Sequence, residues 1–412
     1  MRFPLPLTLK IAGTFLKHRL LGERKFAAVL QLEPLHACNL TCTGCGRIRE
    51  YAAFLKQMMP LEECLAAATE CDAPMISICG GEPLLYPHIE ALVNGLHSQK
   101  RIVYLCTNAL LMRRKLRDYV AAQWVKNPSR MEPVLNRLLE EGLLSNEEAG
   151  AIRKRQATPE KEVIAPSQRF FWNVHLDGLE ATHDRIVEKN GVFRECVQAI
   201  RMAKLLGFQV ATNTTVYRET NMAEIEDLFV FLGTLGVDGH TLSPGYDYGD
   251  AGKDMIKRRH QRPEEFFLTR AATVEKFRDA EEWGRRFPLL GTPVYLEFLA
   301  GKREMACSAW AIPTRNIRGW KGPCYLITDA HYSSYSELLR ATDWSRFGTV
   351  AGKARDPRCE HCMAHCGHEP TASLGIGARR GDTWKILRFN FGPRPRVKPR
   401  PVNAFNGESA KP

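Results

Sequence analysis

Long apolar segments are missing from this sequence of 412 residues, although 44% of its residues are hydrophobic. No run approaches the roughly 18 uninterrupted apolar residues that a membrane-spanning helix requires. Lys10 interrupts the first apolar run and no small-residue cleavage site follows it, so we expect a cytoplasmic protein without a signal peptide. The remaining composition is that of an ordinary globular protein, which excludes a collagen-like, low-complexity or wholly disordered chain.

Basic residues outnumber acidic ones by 58 to 46, yet this excess is absent from the middle of the chain. Residues 1–26 hold six Lys or Arg against one acidic residue, and residues 379–412 hold nine against two. A nucleic-acid enzyme usually carries its positive field on the folded body, so no specific nucleic-acid partner is expected. Charged ends suit an anionic membrane surface at least as well, and peripheral contact with its inner face is one expectation.

Short apolar runs alternate with helical patterns between residues 26 and 290. Six of these runs are predicted strands, at 27–33, 75–79, 102–106, 170–176, 208–216 and 238–243. Repeated strand–helix alternation indicates a parallel sheet with right-handed crossovers. The sequence therefore predicts an α/β fold, a partial (β/α)6 TIM-like barrel, whose ligands lie at the carboxyl ends of its strands.

Four further segments flank or interrupt the predicted barrel. Residues 1–25 contain an amphipathic helix, which suits either a membrane interface or packing against the body. Residues 113–165 are charged and helical and are predicted to form an insertion between the third and fourth strands. Residues 291–378 are predicted to be a cysteine-rich module, and residues 379–412 a disordered, basic, proline-rich tail.

Three cysteines follow the first predicted strand in the pattern Cys38-x-x-x-Cys42-x-x-Cys45. Three thiolates on one short loop can bind three irons of a [4Fe–4S] cluster and leave the fourth iron open to a small molecule. A zinc site is the alternative, and it would need a fourth ligand such as His36. In a reducing cytosol, clustered cysteines favour a metal site or redox chemistry over disulfides.

A glycine-rich turn follows the second predicted strand, and it consists of Gly80, Gly81, Glu82 and Pro83. Glycines let a backbone approach a ligand closely, and a carboxylate can accept hydrogen bonds from an ammonium group. Together with the cysteine loop one β/α unit earlier, this turn resembles the radical S-adenosylmethionine (SAM) superfamily. The resemblance assigns the turn to the amino group of the methionine moiety.

The same resemblance implies the cofactors, a [4Fe–4S] cluster and SAM. SAM would chelate the open iron through its amino and carboxylate groups. An electron, from a donor such as a ferredoxin or flavodoxin, would cleave the sulfur–carbon bond into methionine and a 5′-deoxyadenosyl radical. The cofactors carry this chemistry, while the protein binds, orients and excludes water.

Several stretches, occurring in the same order along the chain, resemble one subfamily, the adenosylhopane synthases of hopanoid lipid biosynthesis. These stretches are LEPLHACNLTCTGCGRI (32–48), GGEPLLYPHI (80–89), VYLCTNALL (103–111), VHLDGLEATHD (174–184), LGVDGHTLSPGY (235–246), PTRNIRGW-x-x-PCYL (313–326) and CEHCMAHCGHEPTA (359–372). The resemblance implies addition of the 5′-deoxyadenosyl radical across the terminal alkene of a hopene, a hydrophobic polycyclic triterpene. The product radical then needs one hydrogen atom.

Cys106 ends the third predicted strand, and the resemblance makes its thiol the candidate hydrogen donor. A buried cysteine that packs as a small hydrophobe is the alternative. Four polar residues lie at the ends of the later predicted strands, where radical SAM enzymes contact the ribose, carboxylate and adenine of SAM. The alternative is that they are strand-end groups whose hydrogen bonds are satisfied within the protein. These residues are His175, Asp177, Asn213 and Ser243.

A second group of cysteines lies in the C-terminal third of the chain. Its preferred ligands for a second [4Fe–4S] cluster are Cys324, Cys359, Cys362 and Cys366, with Cys307 as a spare or substitute. Zinc is the alternative because His361, His365 and His368 lie among these cysteines.

Three functions therefore remain open from the sequence. The first is adenosylation of a hopene, and the second is radical SAM chemistry on another lipid or a peptide. The third is a metal-stabilised protein without enzymatic activity that uses its basic ends to bind RNA or a membrane.

Overall fold

Six parallel strands form the centre of the fold, in the same order as along the chain. The structure is a computed structural model that describes residues 4–155, 162–247, 250–350, 352–393 and 400–405. The six strands are β1 (Val29–Glu33), β2 (Met75–Ile78), β3 (Ile102–Thr107), β4 (Phe170–His175), β5 (Gln209–Val216) and β6 (Gly239–Pro244). They confirm the predicted α/β partial barrel, and each lies within two residues of its predicted bounds.

Three more strands extend the sheet beyond β1. They are β7 (Thr314–Asn316), which is parallel to β1, and the antiparallel β8 (Gly319–Pro323) and β9 (Thr328–Tyr332). The cysteine-rich C-terminal segment thus adds strands directly to the barrel sheet. A separate hairpin pairs β10 (Thr349–Val350) with β11 (Lys353–Ala354).

Helices connect the strands and cover the outside of the sheet. The first nine are α1 (Leu5–Leu20), α2 (Arg47–Glu50), α3 (Leu61–Glu70), α4 (Ile89–Ser98), α5 (Met112–Lys126), α6 (Pro128–Glu140), α7 (Asn146–Arg153), α8 (Glu180–Ile186) and α9 (Val192–Leu205). The others are α10 (Met222–Thr234), α11 (Asp250–Arg259), α12 (Pro263–Phe266), α13 (Arg270–Lys276), α14 (Ala280–Arg286), α15 (Pro293–Leu299), α16 (Tyr335–Ala341), α17 (His365–Ser373) and α18 (Asp382–Phe391). Among the residues described, none of these helices has the length and hydropathy to cross a bilayer.

The insertion between β3 and β4 is helical, as predicted, and consists of α5, α6 and α7. Leu135 and Leu138 of α6 and Ile152 of α7 are buried in the main core. Arg113 of α5 forms a bidentate ion pair with Glu195 of α9, at 2.7 and 2.9 Å. The described part of the insertion therefore packs against the outer helices of the barrel.

The N-terminal helix α1 packs against the lower part of the barrel through one of its faces. Leu7 is buried in a cluster with Tyr104 of β3 and Phe171 of β4, whose rings stack at 4.6 Å. Because side chains alternate along a strand, Tyr104 shares the inner face of β3 with Cys106, one pleat closer to the carboxyl end. Helix α1 thus closes the barrel on the side opposite the strand ends where ligands are expected.

The C-terminal tail contains a helix, which corrects the expectation of disorder over 379–412. Phe389 of α18 packs over Gly284 of α14, where a Cβ atom would lie 2.9 Å from the ring. Further along, Ala404 is buried and its carbonyl oxygen accepts a hydrogen bond from the backbone N–H of Glu180 at 3.2 Å. The proline–arginine run at 394–399 and residues 406–412 lie outside the described residues.

We predict that Leu7→Ala lowers the free energy of unfolding by about 2–4 kcal/mol, because truncating a buried leucine leaves a cavity. Leu9→Ala on the same helix is the matched control, since Leu7 is 4% and Leu9 62% exposed. Urea denaturation measures both variants. Equal effects of the two changes would contradict the packing of α1 under the strands.

Candidate functional site

The three-cysteine loop runs from the end of β1 to the start of α2 and is held by one arginine. Arg49 donates hydrogen bonds to the carbonyl oxygens of Cys42 at 3.2 Å and Cys45 at 3.0 Å, and to that of Thr41 at 3.0 Å. Burial raises the pKa of the Cys38 thiol to about 11, and burial with the neighbouring thiols raises that of Cys42. Metal binding at this loop would therefore release protons.

The three thiols fit a [4Fe–4S] cluster because they lie on one short loop, between β1 and α2. In such a cluster each thiolate binds a different iron. Within the described ranges, no group of three or more His, Cys, Asp or Glu side chains converges as the ligand set of a single metal ion. Cys38, Cys42 and Cys45 are the residues that would hold the cluster.

The glycine turn after β2 lies directly against the start of the cysteine loop. The backbone N–H of Gly81 donates to the carbonyl oxygen of Leu35 at 3.0 Å, and that of Glu82 donates to Ala37 at 2.8 Å. A Cβ atom on Gly80, whose φ is +104°, would lie 2.4 Å from the Leu35 oxygen, and one on Gly81 would lie 2.0 Å from the Ala37 oxygen. Only glycine fits at both positions.

Glu82 is buried and joins this turn to the end of β3. Its carboxylate accepts hydrogen bonds from the backbone N–H of Leu84 at 3.0 Å, the hydroxyl of Thr107 at 2.8 Å and the backbone N–H of Asn108 at 2.9 Å. Burial raises its pKa to about 6, although these donors act in the opposite direction. Pro83 begins the short 3-10 turn Pro83–Leu85 that follows.

Asn108 was not found from the sequence, although it lies beside the cysteine loop. Its side-chain amide donates to Asn39 Oδ1 at 2.7 Å and approaches Cys38 Sγ at 3.9 Å. The one sequence feature that could have indicated Asn108 is its position just after β3. The carboxyl ends of parallel strands lie at one edge of the barrel, so a polar residue there is close to the site.

The ends of β4 and β5 bring together three of the predicted cofactor-binding residues. His175 Nε2 lies 2.7 Å from Asp177 Oδ2, and Asp177 Oδ1 accepts the backbone N–H of Thr215 at 2.7 Å. Burial lowers the pKa of His175, but the Asp177 carboxylate outweighs it and leaves that pKa raised. Asn213 is the strand partner of His175, and Asp177 is close enough to raise the pKa of Cys42.

Cys106 lies on the inner face of β3 and contacts polar groups of both neighbouring strands. Its Sγ is 3.4 Å from Ser77 Oγ on β2 and accepts the Asn173 amide of β4 at 3.3 Å. Burial raises the pKa of the thiol, and the two hydrogen bonds offset only part of this effect. Cys106 is therefore a protonated thiol in the upper part of the barrel interior.

The second cysteine group gathers at one place in the fold. Cys324 and Cys362 both contribute to the raised pKa of Cys366 and of Cys307, after burial as the largest cause. Cys359 Sγ accepts the backbone N–H of Gly348 at 3.3 Å, and it raises the pKa of Cys362, which burial takes to about 12. A Cβ atom on Gly348 would lie 2.7 Å from Cys307 Cβ, and one on Gly367 would lie 2.6 Å from Cys307 Sγ. Cys307, which the sequence treats as a spare, therefore lies beside the backbone that neighbours Cys359 and Cys366.

Ser243 connects the barrel to the second cysteine group. Its hydroxyl lies 3.2 Å from Nδ1 of His365, the residue before Cys366. The Nδ1 of His368 lies 3.1 Å from the carbonyl oxygen of Ala364. These contacts place the end of β6 beside the N-terminal turn of α17.

A buried ion network lies between the two cysteine groups, and the sequence did not reveal it. Arg47 Nε lies 3.1 Å from Glu33 Oε1, its Nη1 donates to Glu50 at 2.7 Å, and its Nη2 donates to the Tyr325 carbonyl oxygen. Lys321 of β8 reaches Glu50 at 3.1 Å and the same carbonyl oxygen at 2.8 Å. The network links the residue after Cys324 to the helix that follows Cys45.

Glu33 is the most deeply buried charge of this network. Burial raises its pKa, but Arg47 and His36 outweigh that cost and hold the pKa at about 2. His36 Nε2 lies 3.1 Å from Glu33 Oε2, so His36 has a carboxylate partner within this network.

Two family profiles match this chain. The radical SAM superfamily matches residues 32–128, which include the cysteine loop, the glycine turn and Cys106, and a domain of unknown function (DUF3463) matches residues 240–386. The chain is 20% identical over 334 residues to a pre-heme d1 synthase of Dinoroseobacter shibae, covering 78% of this chain and 70% of that protein. It is 36% identical over 87 residues to a 7-carboxy-7-deazaguanine synthase of Neisseria meningitidis serogroup B, covering 21% and 39%.

Solved structures with similar folds include native anSMEcpe with bound AdoMet, at a TM-score of 0.49 and 12% identity, covering 88% of this chain and 97% of that one. Streptococcus suis SuiB bound to precursor peptide SuiA has a TM-score of 0.45 and 13% identity, covering 74% and 62%. The superfamily match supports a radical SAM enzyme, which implies a [4Fe–4S] cluster and SAM as cofactors.

We predict that Arg47→Met destabilises the protein by about 3–5 kcal/mol, because it leaves the Glu33 carboxylate buried without its main partner. Because the pKa of Glu33 is lowered to about 2, its ionised carboxylate stabilises the fold fully above about pH 4.5, and this stabilisation is lost as the pH falls toward 2. In the variant, the free energy of unfolding should therefore depend less on pH over this range.

Urea denaturation between pH 3 and 8 measures this effect. Adding Glu33→Gln to Arg47→Met should restore part of the loss, because it removes the unpaired charge. Arg137→Met is the control, since its pair with Glu141 is exposed and contributes less than about 1 kcal/mol. Equal losses for Arg47→Met and Arg137→Met would contradict the role of the network.

Proposed function

We propose that this radical SAM enzyme adds a 5′-deoxyadenosyl group to the terminal alkene of a hopene such as diploptene. The observation that carries the proposal is the position of Cys106. Its protonated thiol faces the barrel interior between Ser77 and Asn173, above the stacked rings of Tyr104 and Phe171. An apolar floor and a hydrogen-atom donor suit an apolar alkene whose adduct radical must be quenched.

Cys38, Cys42 and Cys45 would hold the cluster, which with SAM and one electron would supply the 5′-deoxyadenosyl radical and methionine. Addition of that radical to the terminal alkene carbon would form one carbon–carbon bond and leave a tertiary carbon radical in the substrate. Transfer of the hydrogen atom of Cys106 forms the final carbon–hydrogen bond and leaves a thiyl radical. One electron and one proton, with an external ferredoxin or flavodoxin as the electron source, restore the thiol.

The residues around Cys106 position its sulfur. The Asn173 amide donates a hydrogen bond to the sulfur, so this contact does not use the thiol hydrogen. Ser77 lies on the opposite side, at 3.4 Å from the sulfur. Together they hold the sulfur on the inner face of the sheet, and α1 closes the barrel below it.

The five gathered cysteines support the proposal of a second [4Fe–4S] cluster. A cluster uses four thiolates, and the preferred set of Cys324, Cys359, Cys362 and Cys366 would leave Cys307 beside it. Zinc is the alternative, because His365 and His368 each use Nδ1 in a hydrogen bond and could bind a metal through Nε2 beside the cysteines.

A second candidate function keeps the radical chemistry and changes the substrate. The similarity to a pre-heme d1 synthase over 78% of the chain favours this candidate. A tetrapyrrole or another bulky substrate would then take the place of the hopene.

The test of the lead proposal is mass spectrometry of an anaerobic reaction with reconstituted protein, SAM, a strong reductant and diploptene in detergent. We predict an adduct equal to diploptene plus the 5′-deoxyadenosyl group and one hydrogen. In D2O the adduct should contain one deuterium, because the Cys106 thiol exchanges with solvent. Formation of free 5′-deoxyadenosine without an adduct would reject the hopene and favour the second candidate.

We predict that Cys106→Ala abolishes the saturated adduct while SAM cleavage continues. Cys64→Ala is the matched control, because Cys64 is a buried cysteine of α3 remote in sequence from the strand ends. The same assay measures both variants. Undiminished adduct formation by Cys106→Ala would exclude the thiol as hydrogen donor.

Metal analysis tests the second cluster. We predict about eight irons per chain after reconstitution, falling to about four both in Cys42→Ala and in Cys362→Ala, because each change removes one cluster. Cys42→Ala should also lose SAM cleavage. About four irons and one zinc per chain in the wild type would instead establish zinc at the second group.

A further inference from the structure

Helix α1 exposes an apolar face opposite the one that packs under the barrel. Leu9, Leu16 and Leu20 are separated by seven and four residues, so they lie on one side of the helix. Leu16 is 57% and Leu20 78% exposed. The apolar residues of α1 thus form two faces, and only the face with Leu7 is buried.

Helix α18 has the same arrangement at the other end of the chain. Trp384, Leu387 and Phe391 follow helical spacing and are exposed, with Trp384 at 73%, whereas Phe389 packs on the body. Nine of the fourteen large apolar residues that the described structure exposes lie within 5–21 and 376–391. Single exposed apolar residues are ordinary, but such a concentration indicates an interaction surface.

The end of α1 and the segment that leads to α18 meet. Arg19 donates a hydrogen bond to the carbonyl oxygen of Leu374. A cavity of about 370 Å³ opens between them, with apolar walls from Phe26, Trp310 and Ile376 and with Arg24 among its lining residues. Leu374 and Ile376, a few residues before α18, therefore lie beside the end of α1.

These two ends also carry the entire net positive charge of the protein. The excess of basic residues in 1–26 and 379–412 accounts for +12, and the body between them is neutral. A second copy of this surface would bring like charges together, which disfavours self-association through it. A nucleic acid would leave the exposed leucines and Trp384 in water.

We propose that α1 and residues 374–391 form a docking surface, and that its occupant is an anionic lipid bilayer. The apolar side chains enter the boundary between headgroups and acyl chains, and the basic side chains attract anionic headgroups. Because the strand ends open on the other side of the barrel from α1, docking leaves the cofactor site free. The inference does not depend on which substrate the enzyme uses.

The experiment is co-sedimentation of the full-length reconstituted protein with vesicles, without SAM or substrate. Vesicles of phosphatidylcholine with 30% phosphatidylglycerol are compared with pure phosphatidylcholine, at about 50 and 500 mM salt. We expect binding to the anionic vesicles that weakens with salt, and at least about tenfold weaker binding to the neutral ones, because screening removes the electrostatic part.

Two variants locate the surface. Leu9→Gln/Leu16→Gln/Leu20→Gln and, separately, Trp384→Gln should each weaken binding to anionic vesicles, the triple variant by at least about tenfold. Ile256→Gln is the matched control, because Ile256 is 55% exposed on α11. Circular dichroism and iron content confirm that each variant is folded.

Three results would overturn the proposal. The first is no binding of the wild type to anionic vesicles at low salt, and the second is equal binding of the triple variant and the control. The third is a wild-type oligomer that the triple variant converts to a monomer, which would assign the surface to a second copy of the chain. Failure of hopene adenosylation would leave the vesicle result unchanged, so the two proposals are tested separately.

Discussion

The structure depends on one buried contact between charges, the ion pair of Glu33 and Arg47. Glu33 ends β1, and Arg47 begins the helix after the cysteine loop, so this contact fixes both ends of the loop. Burying two charges costs several kcal/mol unless each finds good partners. His36, Glu50, Lys321 and the Tyr325 carbonyl oxygen supply them. They also connect the loop to the turn between β8 and β9, which carries Cys324.

The glycine turn is positioned from the other side by steric constraint. Gly80 and Gly81 pass so close to the backbone of residues 35–37 that no side chain fits, and Glu82 ties the turn to the end of β3. The cysteine loop and the turn are thus parts of one rigid unit at the carboxyl ends of β1 to β3. Such preorganisation suits a site that must hold a reactive cofactor in one geometry and exclude water from it.

Periodicity and spacing were enough to predict the six parallel strands, the loop with Cys38 and the helical insertion. These features depend on the spacing of apolar residues and cysteines that are close together in the sequence. The sequence could not reveal Arg47 at the Tyr325 carbonyl oxygen, or Asn173 beside Cys106, because these contacts join residues far apart in the chain. The helix at Asp382–Phe391 was missed since basic residues and the following proline–arginine run hid its apolar spacing.

The most direct test of the central claim is electron paramagnetic resonance of the dithionite-reduced protein before and after addition of SAM. The account predicts a [4Fe–4S]+ signal that changes when SAM binds the open iron. This SAM-responsive signal should be lost in Cys38→Ala and retained in Cys362→Ala, which removes only the second cluster. A reduced protein whose spectrum does not respond to SAM, or whose SAM response survives in Cys38→Ala, would contradict a SAM-binding cluster at this loop.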